Sequence, residues 1–249
     1  MRVSELVLRR NKAGATNAVK PYATGYFSNT VGLFHASGGF RFMFNNKYGI
    51  PISLFNIDKK SKFGVFEIGM DKKGEIENLS KMVKPEIAII TNISGAHFKN
   101  FNTLKDIAKA KSEIIDNITK DGNLILNKDN KFFNFLKNKA KKNGIKVISY
   151  SAKKRANVFI LKVKKKNKKY RLKISVNDKI FYFNTKIYTK SLASNILACI
   201  ATINVLALNL KKIEKKFLDF QIPSGRGDIK IVKKYKKKFK FIDESYNAS

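Results

Sequence analysis

The sequence predicts an α/β fold: a mostly parallel sheet flanked by helices, with a small antiparallel β-sheet inserted into it. Two short, almost wholly apolar runs carry the first part of that expectation, Phe63-Gly64-Val65-Phe66-Glu67-Ile68 and Glu86-Ile87-Ala88-Ile89-Ile90-Thr91, each followed by a segment of helical period. Strands covered on both faces read in this way, and strand–helix alternation is how a parallel sheet gains its covering helices. The second part comes from residues 157–188, where Tyr170, Leu172, Ile174 and Val176 alternate with polar neighbours, the period of a half-buried strand.

The elements follow in order. Residues 1–44 hold four of the seven arginines, are sparse in lysine and show no clear helical or strand period. They read as an atypical or degraded N-terminal segment, and residues 45–249 as the regular domain. A helix is expected over residues 74–83, stopped by Pro85, and another from Leu104 to about Ile118, opened by Thr103 with Asp106 three residues on. Leu124-Ile125-Leu126 and Val147-Ile148-Ser149 are further strands with an amphipathic helix between them. Asn177-Asp178 forms a turn inside the inserted sheet (residues 157–188). Helices are expected at about 191–208 and 212–219, and a last strand at Phe239-Lys240-Phe241-Ile242-Asp243.

Composition narrows the function classes. The formal charge of +34 invites an anionic partner, nucleic acid or membrane. The excess is lysine, however, accompanied by Asn, Ile and Phe, all read from A/T-rich codons, and the runs Lys164-Lys165-Lys166 and Lys236-Lys237-Lys238 fall near predicted turns. The expectation is no specific nucleic-acid partner. Residues 195–210 form the longest apolar run, too short to span a bilayer and interrupted by Thr202 and Asn204, so a buried helix is expected and no membrane association. Cys199 is the only cysteine, which rules out an internal disulfide and fits a cytoplasmic location. A monomer is expected.

Several polar positions stand out against this background. Glu67 closes the first strand, and Asn92 and His97 lie just past the second. Open α/β sheets bind ligands at the carboxyl ends of their strands, so a carboxylate and an imidazole there could hold a divalent metal; equally, Glu67 could cap a helix and His97 be an ordinary loop residue. Lys111 falls in the middle of the apolar face formed by Leu104, Ile107, Ala108, Ile114 and Ile115, while Lys105 and Lys109 point away. A buried ammonium is costly and its pKa is driven down. Such a lysine has either a chemical role, for instance as a carbamate formed with carbon dioxide, or an aliphatic stem that lets its charge reach the surface. Pro223-Ser224-Gly225-Arg226-Gly227-Asp228 is a tight turn presenting an arginine, suited to phosphate or carboxylate, or a plain interdomain turn.

Taken together these segments resemble the Mur ligases. Asn45-Asn46-Lys47-Tyr48-Gly49-Ile50-Pro51 is similar to the family's double-Asn segment, and Phe66-Glu67-Ile68-Gly69-Met70 with Gly74-Glu75-Ile76 to its Glu-x-Gly and Gly-Glu-Ile segment. Thr91-Asn92-Ile93 with Ala96-His97 resembles its Asn and Ala-His motif, Ala108-Lys109-Ala110-Lys111-Ser112-Glu113-Ile114 the stretch with the carbamylated lysine, and Asn195-Ile196-Leu197-Ala198 the helix whose Asn contacts adenine. Gly225-Arg226-Gly227 and Asp243-Glu244-Ser245-Tyr246-Asn247-Ala248 resemble the end of the central domain. The order is preserved across residues 45–249. The resemblance implies a central ATP-binding domain, with Glu67, His97 and carbamylated Lys111 as magnesium ligands and Asn195 on adenine. Arg226, Glu244 and Asn247 would lie about the nucleotide, and Asn45 and Asn46 in its binding site. It further implies ATP and Mg2+ as cofactors, and formation of a peptide bond between UDP-N-acetylmuramoyl-tripeptide and D-alanyl-D-alanine in peptidoglycan precursor synthesis.

Departures from the pattern set limits. No Gly-Lys-Thr/Ser phosphate loop occurs; Ala13-Gly14-Ala15-Thr16, at the matching distance before Asn45, has alanine in place of lysine. Ser191 stands where histidine is usual and Glu244 where aspartate is usual. The UDP-sugar-binding N-terminal domain and the C-terminal domain are expected to be absent, leaving a fragment without ligase activity of its own. The competing readings are a basic, nonenzymatic nucleic-acid binder and an inactive Mur ligase paralogue.

Overall fold

The computed structural model describes residues 5–10, 47–55, 63–94, 100–167, 169–218, 228–234 and 237–243. Eight strands form one sheet in the order β2-β1-β3-β4-β5-β6-β7-β8, from β1 (Glu5–Arg10), β2 (Phe63–Ile68), β3 (Ile87–Ile90), β4 (Asn123–Asn127), β5 (Lys146–Ser151), β6 (Val158–Lys166), β7 (Lys169–Val176) and β8 (Lys179–Thr185). The pairs β3–β4, β4–β5 and β5–β6 are parallel. β1 is antiparallel to both its neighbours, and β7 to both of its own. Six of the eight strands therefore run one way, and β1 and β7 the other.

The central strands explain the apolar runs of the sequence. Ile87, Ala88, Ile89 and Ile90 are all buried, because both faces of β3 are covered. Alternation then sends side chains into two cores. Ala88, Ile90, Leu124 and Leu126 meet α1 (Gly49–Phe55), α2 (Glu75–Val83), α3 (Leu104–Ser112) and α4 (Phe133–Lys142) on one face. Ile87, Ile89, Ile125 and Ile148 meet α5 (Lys190–Val205) on the other. α5 is the apolar run of the sequence, and its residues 196–203 are buried throughout, Thr202 included. Its Cys199 is buried and unbridged, and burial pushes the thiol up to about 12. Among the described residues no helix is long and apolar enough to cross a membrane.

Local signals fix the ends of the elements. Thr103 caps α3 through its hydroxyl, which accepts from the Asp106 amide at 3.2 Å and donates to the Asp106 carboxylate at 2.7 Å. The helix is shorter than its sequence pattern and tightens into a 3-10 turn over Glu113–Asn117. The expected helix at 212–219 is two 3-10 turns, Leu210–Ile213 and Lys216–Leu218. Positive φ angles of 47° at Asn177 and 64° at Asp178 make the tight turn between β7 and β8, as the turn type of short hairpins requires.

Two differences from the sequence expectation matter later. The N-terminal segment, which shows no period by sequence, supplies β1 in the interior of the sheet. The antiparallel part, β6 to β8, is not set apart from the main sheet: Tyr150 and Ser151 of β5 pair with Val158 and Phe159 of β6 and make it the sheet's continuation. A separate two-stranded sheet, β9 (Asp228–Lys234) with β10 (Lys237–Asp243), contains the expected last strand. Register also gathers the lysines of β6 and β7. Lys162 lies opposite Lys173, Lys164 opposite Arg171 and Lys166 opposite Lys169, so six cations share one face of the meander. Arg171 stacks over Tyr182 of β8 at 4.4 Å from the ring centroid.

Gly122 sits where α3's 3-10 extension turns into β4. A Cβ there would lie 2.4 Å from Ile118 Cγ2 and 2.9 Å from the Glu86 carbonyl oxygen. Gly122→Ala is expected to lower unfolding stability by about 1–3 kcal/mol, the usual cost of overpacking. Urea denaturation checks this, and an unchanged midpoint would contradict the packing described.

Candidate functional site at the carboxyl rim of the sheet

The ends of β2, β3 and β4 lie along one edge, since β2 and β3 both run opposite to β1. Glu67 is level with Leu6 of β1, and Leu6 with Ile89 of β3. Alternation puts Glu67, half-buried, on the face of β2 shared with Phe63 and Val65, which pack on the core beneath α5.

Past β3 and β4 the rim is a hydrogen-bonded junction. The Asn130 side chain donates to Asn92 Oδ1 at 2.9 Å and to the Ile93 carbonyl at 3.4 Å. Asn127 accepts from the Asp129 amide at 2.9 Å and donates to Ser194 Oγ at 3.3 Å. The Asp129 carboxylate accepts from Ser151 Oγ at 2.7 Å and from the Ala152 amide at 2.8 Å. Tyr150 OH donates to the Thr91 carbonyl at 3.2 Å. The four residues 127–130 thus tie the ends of β3 and β5 to the amino-terminal half of α5, where Asn195 follows Ser194. Sequence reasoning missed this junction. The signal it could have used is the polar run Asn127-Lys128-Asp129-Asn130 directly after a buried strand, a position where such residues bond rather than merely solvate.

Lys111 is buried to 1% exposure on α3, whereas Lys105 and Lys109 are exposed. The apolar-face reading of the sequence therefore places all three correctly, and the surface-reaching alternative does not apply. Two residues on, Glu113 reports where Lys111 lies. Its carboxylate accepts from the Gly74 amide at 2.9 and 3.1 Å and from the Glu77 amide at 3.2 Å. Gly74 comes six residues after β2 ends at Ile68, so this bond joins the segment carrying Lys111 to the turn that follows β2. Burial raises the Glu113 carboxyl above its ordinary value, opposed by the two backbone donors, which favour the ionised form. Glu67 comes to the rim from the α5 face and Lys111 from the opposite face.

Of the residues singled out by sequence, the structure describes Glu67, Asn92, Lys111 and Asn195 and brings all four to the rim or its flanking helices. His97, Asn45, Asn46, Arg226, Glu244 and Asn247 lie outside the described residues, as does the stretch Ala13-Gly14-Ala15-Thr16. Glu5 pairs with Ile68 and Arg10 with Phe63, so the chain leaves β1 at the edge opposite the rim.

An open α/β sheet with polar side chains collected at its carboxyl ends, and a lysine buried beside them, defines the class of ligand-binding α/β domains to which nucleotide-binding proteins belong. The comparisons narrow this. Residues 17–203 match the Mur ligase middle domain, and the chain belongs to the Mur ligase family. It is 30% identical over 210 residues to the UDP-N-acetylmuramoyl-tripeptide–D-alanyl-D-alanine ligase of Rickettsia prowazekii, covering 83% of this chain and 45% of that protein. It is 31% identical over 207 residues to the enzyme of the same name from Buchnera aphidicola of Baizongia pistaciae, covering 82% of this chain and 44% of the relative. Among solved structures, MurF from Acinetobacter baumannii superposes with a TM-score of 0.73 at 27% identity, over 84% of this chain and 44% of the other. The chain spans less than half the length of these relatives.

Lys111 supplies a stability test. Lys111→Ala, which removes a long buried side chain, is expected to cost about 2–5 kcal/mol, as large-to-small core changes do. Lys111→Met, which keeps the volume, should cost clearly less. Equal losses in urea denaturation would show that the stem is not packed in the core.

Proposed function

We propose that this chain is the ATP-handling part of a ligase that joins D-alanyl-D-alanine to UDP-N-acetylmuramoyl-tripeptide in the cytoplasm. The observation that supports it most is the burial of Lys111 beside the Glu67 rim in a chain of this family. In the proposed reaction an oxygen of the tripeptide's terminal carboxylate attacks the γ-phosphorus of ATP and ADP leaves. The dipeptide amine then adds to the acyl carbon, and the tetrahedral intermediate expels phosphate with the C–O electron pair while the amine loses a proton. Positioning and charge stabilisation carry such chemistry.

The residues divide the work. In this reading the Lys111 amine attacks carbon dioxide, releases a proton and becomes a carbamate anion. With Glu67 and His97 that anion makes a hard, oxygen-rich donor set suited to Mg2+, which when bound would neutralise the phosphate oxygens. Asn195 is assigned to adenine, with Asn92 held at the rim by Asn130. Arg226, Glu244 and Asn247 are assigned to the phosphates and ribose, and Asn45 and Asn46 to the same site. With 13C-bicarbonate the chain should give one carbamate resonance that Lys111→Arg abolishes and that added Mn2+ broadens. No such resonance in the unsubstituted protein would sink the metal-site assignment.

A second reading is favoured by one observation. Lys164 and Lys166, which lie near a turn as expected, also share the β6–β7 face with the Arg171–Tyr182 stack, the pattern of cations with an aromatic that binds single-stranded nucleic acid. Replacing Lys162, Lys164, Arg171 and Lys173 by glutamine should then flatten the salt dependence of oligonucleotide binding. Four lysines of α4 and its flanks, Lys137, Lys141, Lys142 and Lys146, are the control. Equal effects of the two sets would reduce the face to general positive charge.

A further inference from the structure

We propose that Glu113 is a positioning residue: its carboxylate locks the amino end of α2, and with it the strand end bearing Glu67, against the segment that carries Lys111. The inference rests on the metal-site reading above and adds a residue to it.

The amino end of a helix leaves backbone amides without partners, and a residue at the cap position usually meets them locally. α2 is capped differently. Its cap position is Gly74, at φ 86°, which has no side chain to offer. Glu75 serves the preceding turn, accepting from the Lys72 amide at 3.1 Å as well as from the Asp71 amide. The Gly74 and Glu77 amides are met instead by a carboxylate 39 and 36 residues away. An Asp or Ser at position 74 would satisfy such an amide without burying a distant charge. What a local cap cannot do is fix α2 relative to α3, and the Glu113 bonds do that.

A second tie runs between the same elements. Asn117 Nδ2 donates to the Glu77 carbonyl at 3.2 Å and to Ser80 Oγ at 3.0 Å. On the far side Lys139 of α4 donates to the Ser112 carbonyl at 2.9 Å and pairs with Asp116 at 2.6 Å. The residues that follow Lys111 are therefore held from both sides, and the Glu113 tie reaches Gly74, at the end of the turn that continues from Glu67. Asn117 grips α2 further down its length.

That difference supplies the control. In 13C-bicarbonate, Mn2+ is titrated against the carbamate resonance of the unsubstituted chain, Glu113→Ala, Glu113→Gln and Asn117→Ala, with urea midpoints measured for each. Glu113→Ala is expected to raise the Mn2+ concentration for half-broadening by about tenfold or more, the usual loss when a supporting residue is removed. Asn117→Ala should shift it far less for a comparable loss of stability. Glu113→Gln, which keeps one acceptor oxygen, should fall between, and decides the matter if Glu113→Ala does not fold. A resonance in the unsubstituted protein that Mn2+ broadens equally in all four chains would overturn the positioning role alone. If the unsubstituted protein shows no resonance, the metal-site reading fails and takes the proposal with it.

Discussion

The double-sided burial of β3 and β4 is the constraint from which the rest follows. With Ile87 to Ile90 and Leu124 to Leu126 buried, no polar side chain can leave these strands except at their ends. Parallel pairing then lines those ends up on one edge, so Asn92 and the residues from Asn127 to Asn130 become neighbours although more than thirty positions separate them in sequence. Their mutual hydrogen bonds are the cheapest way to satisfy amide and carboxylate groups held at the margin of an apolar core. The rim is thus a consequence of core burial before it is a binding site, and α5 completes it by resting Ser194 on Asn127.

Lys111 is the point at which packing and chemistry diverge. Lys111 is buried on the face of α3 that it shares with Leu104, Ile107, Ala108, Ile114 and Ile115. The sequence keeps lysine, and two residues later it keeps a glutamate whose burial is also unfavourable to its charge. Two ionisable side chains buried within three positions, one of them capping another helix, are more than apolar packing requires. They are explained if the segment must be held accurately with respect to the end of β2.

Much of this was legible in the sequence, for identifiable reasons. Strand β2 came out residue for residue because Ser61-Lys62 precede the apolar run and Gly69 ends it. Lys111 was placed correctly because helical period is a strong signal on a helix whose polar and apolar faces are so different. The Glu113 bond to Gly74 was not legible, since nothing local announces a cap supplied from another element. Nor was the gathering of lysines on β6 and β7, because a run of consecutive lysines hides its period-two display until the strand's register is known. The junction of residues 127–130 escaped for a related reason: its partners Asn92, Ser151 and Ser194 come from three other elements.

β1 separates the persistence of the fold from the persistence of its chemistry. The slot between β2 and β3 needs backbone hydrogen bonds and side chains of suitable size, and Glu5 to Arg10 satisfies the pairing while running against both neighbours. Hydrogen bonding is indifferent to that reversal; loop placement is not. A strand parallel to β2 would hand its following loop to the rim, beside Glu67 and Asn92, where backbone amides could face phosphate. β1 itself ends at the far edge, with Arg10 opposite Phe63. The sequence has no Gly-Lys-Thr/Ser triplet after β1. Asn92 and residues 127–130 are brought together by the parallel pairing of β3 with β4, and α5 joins them through Ser194, so the junction at the rim does not depend on the direction of β1.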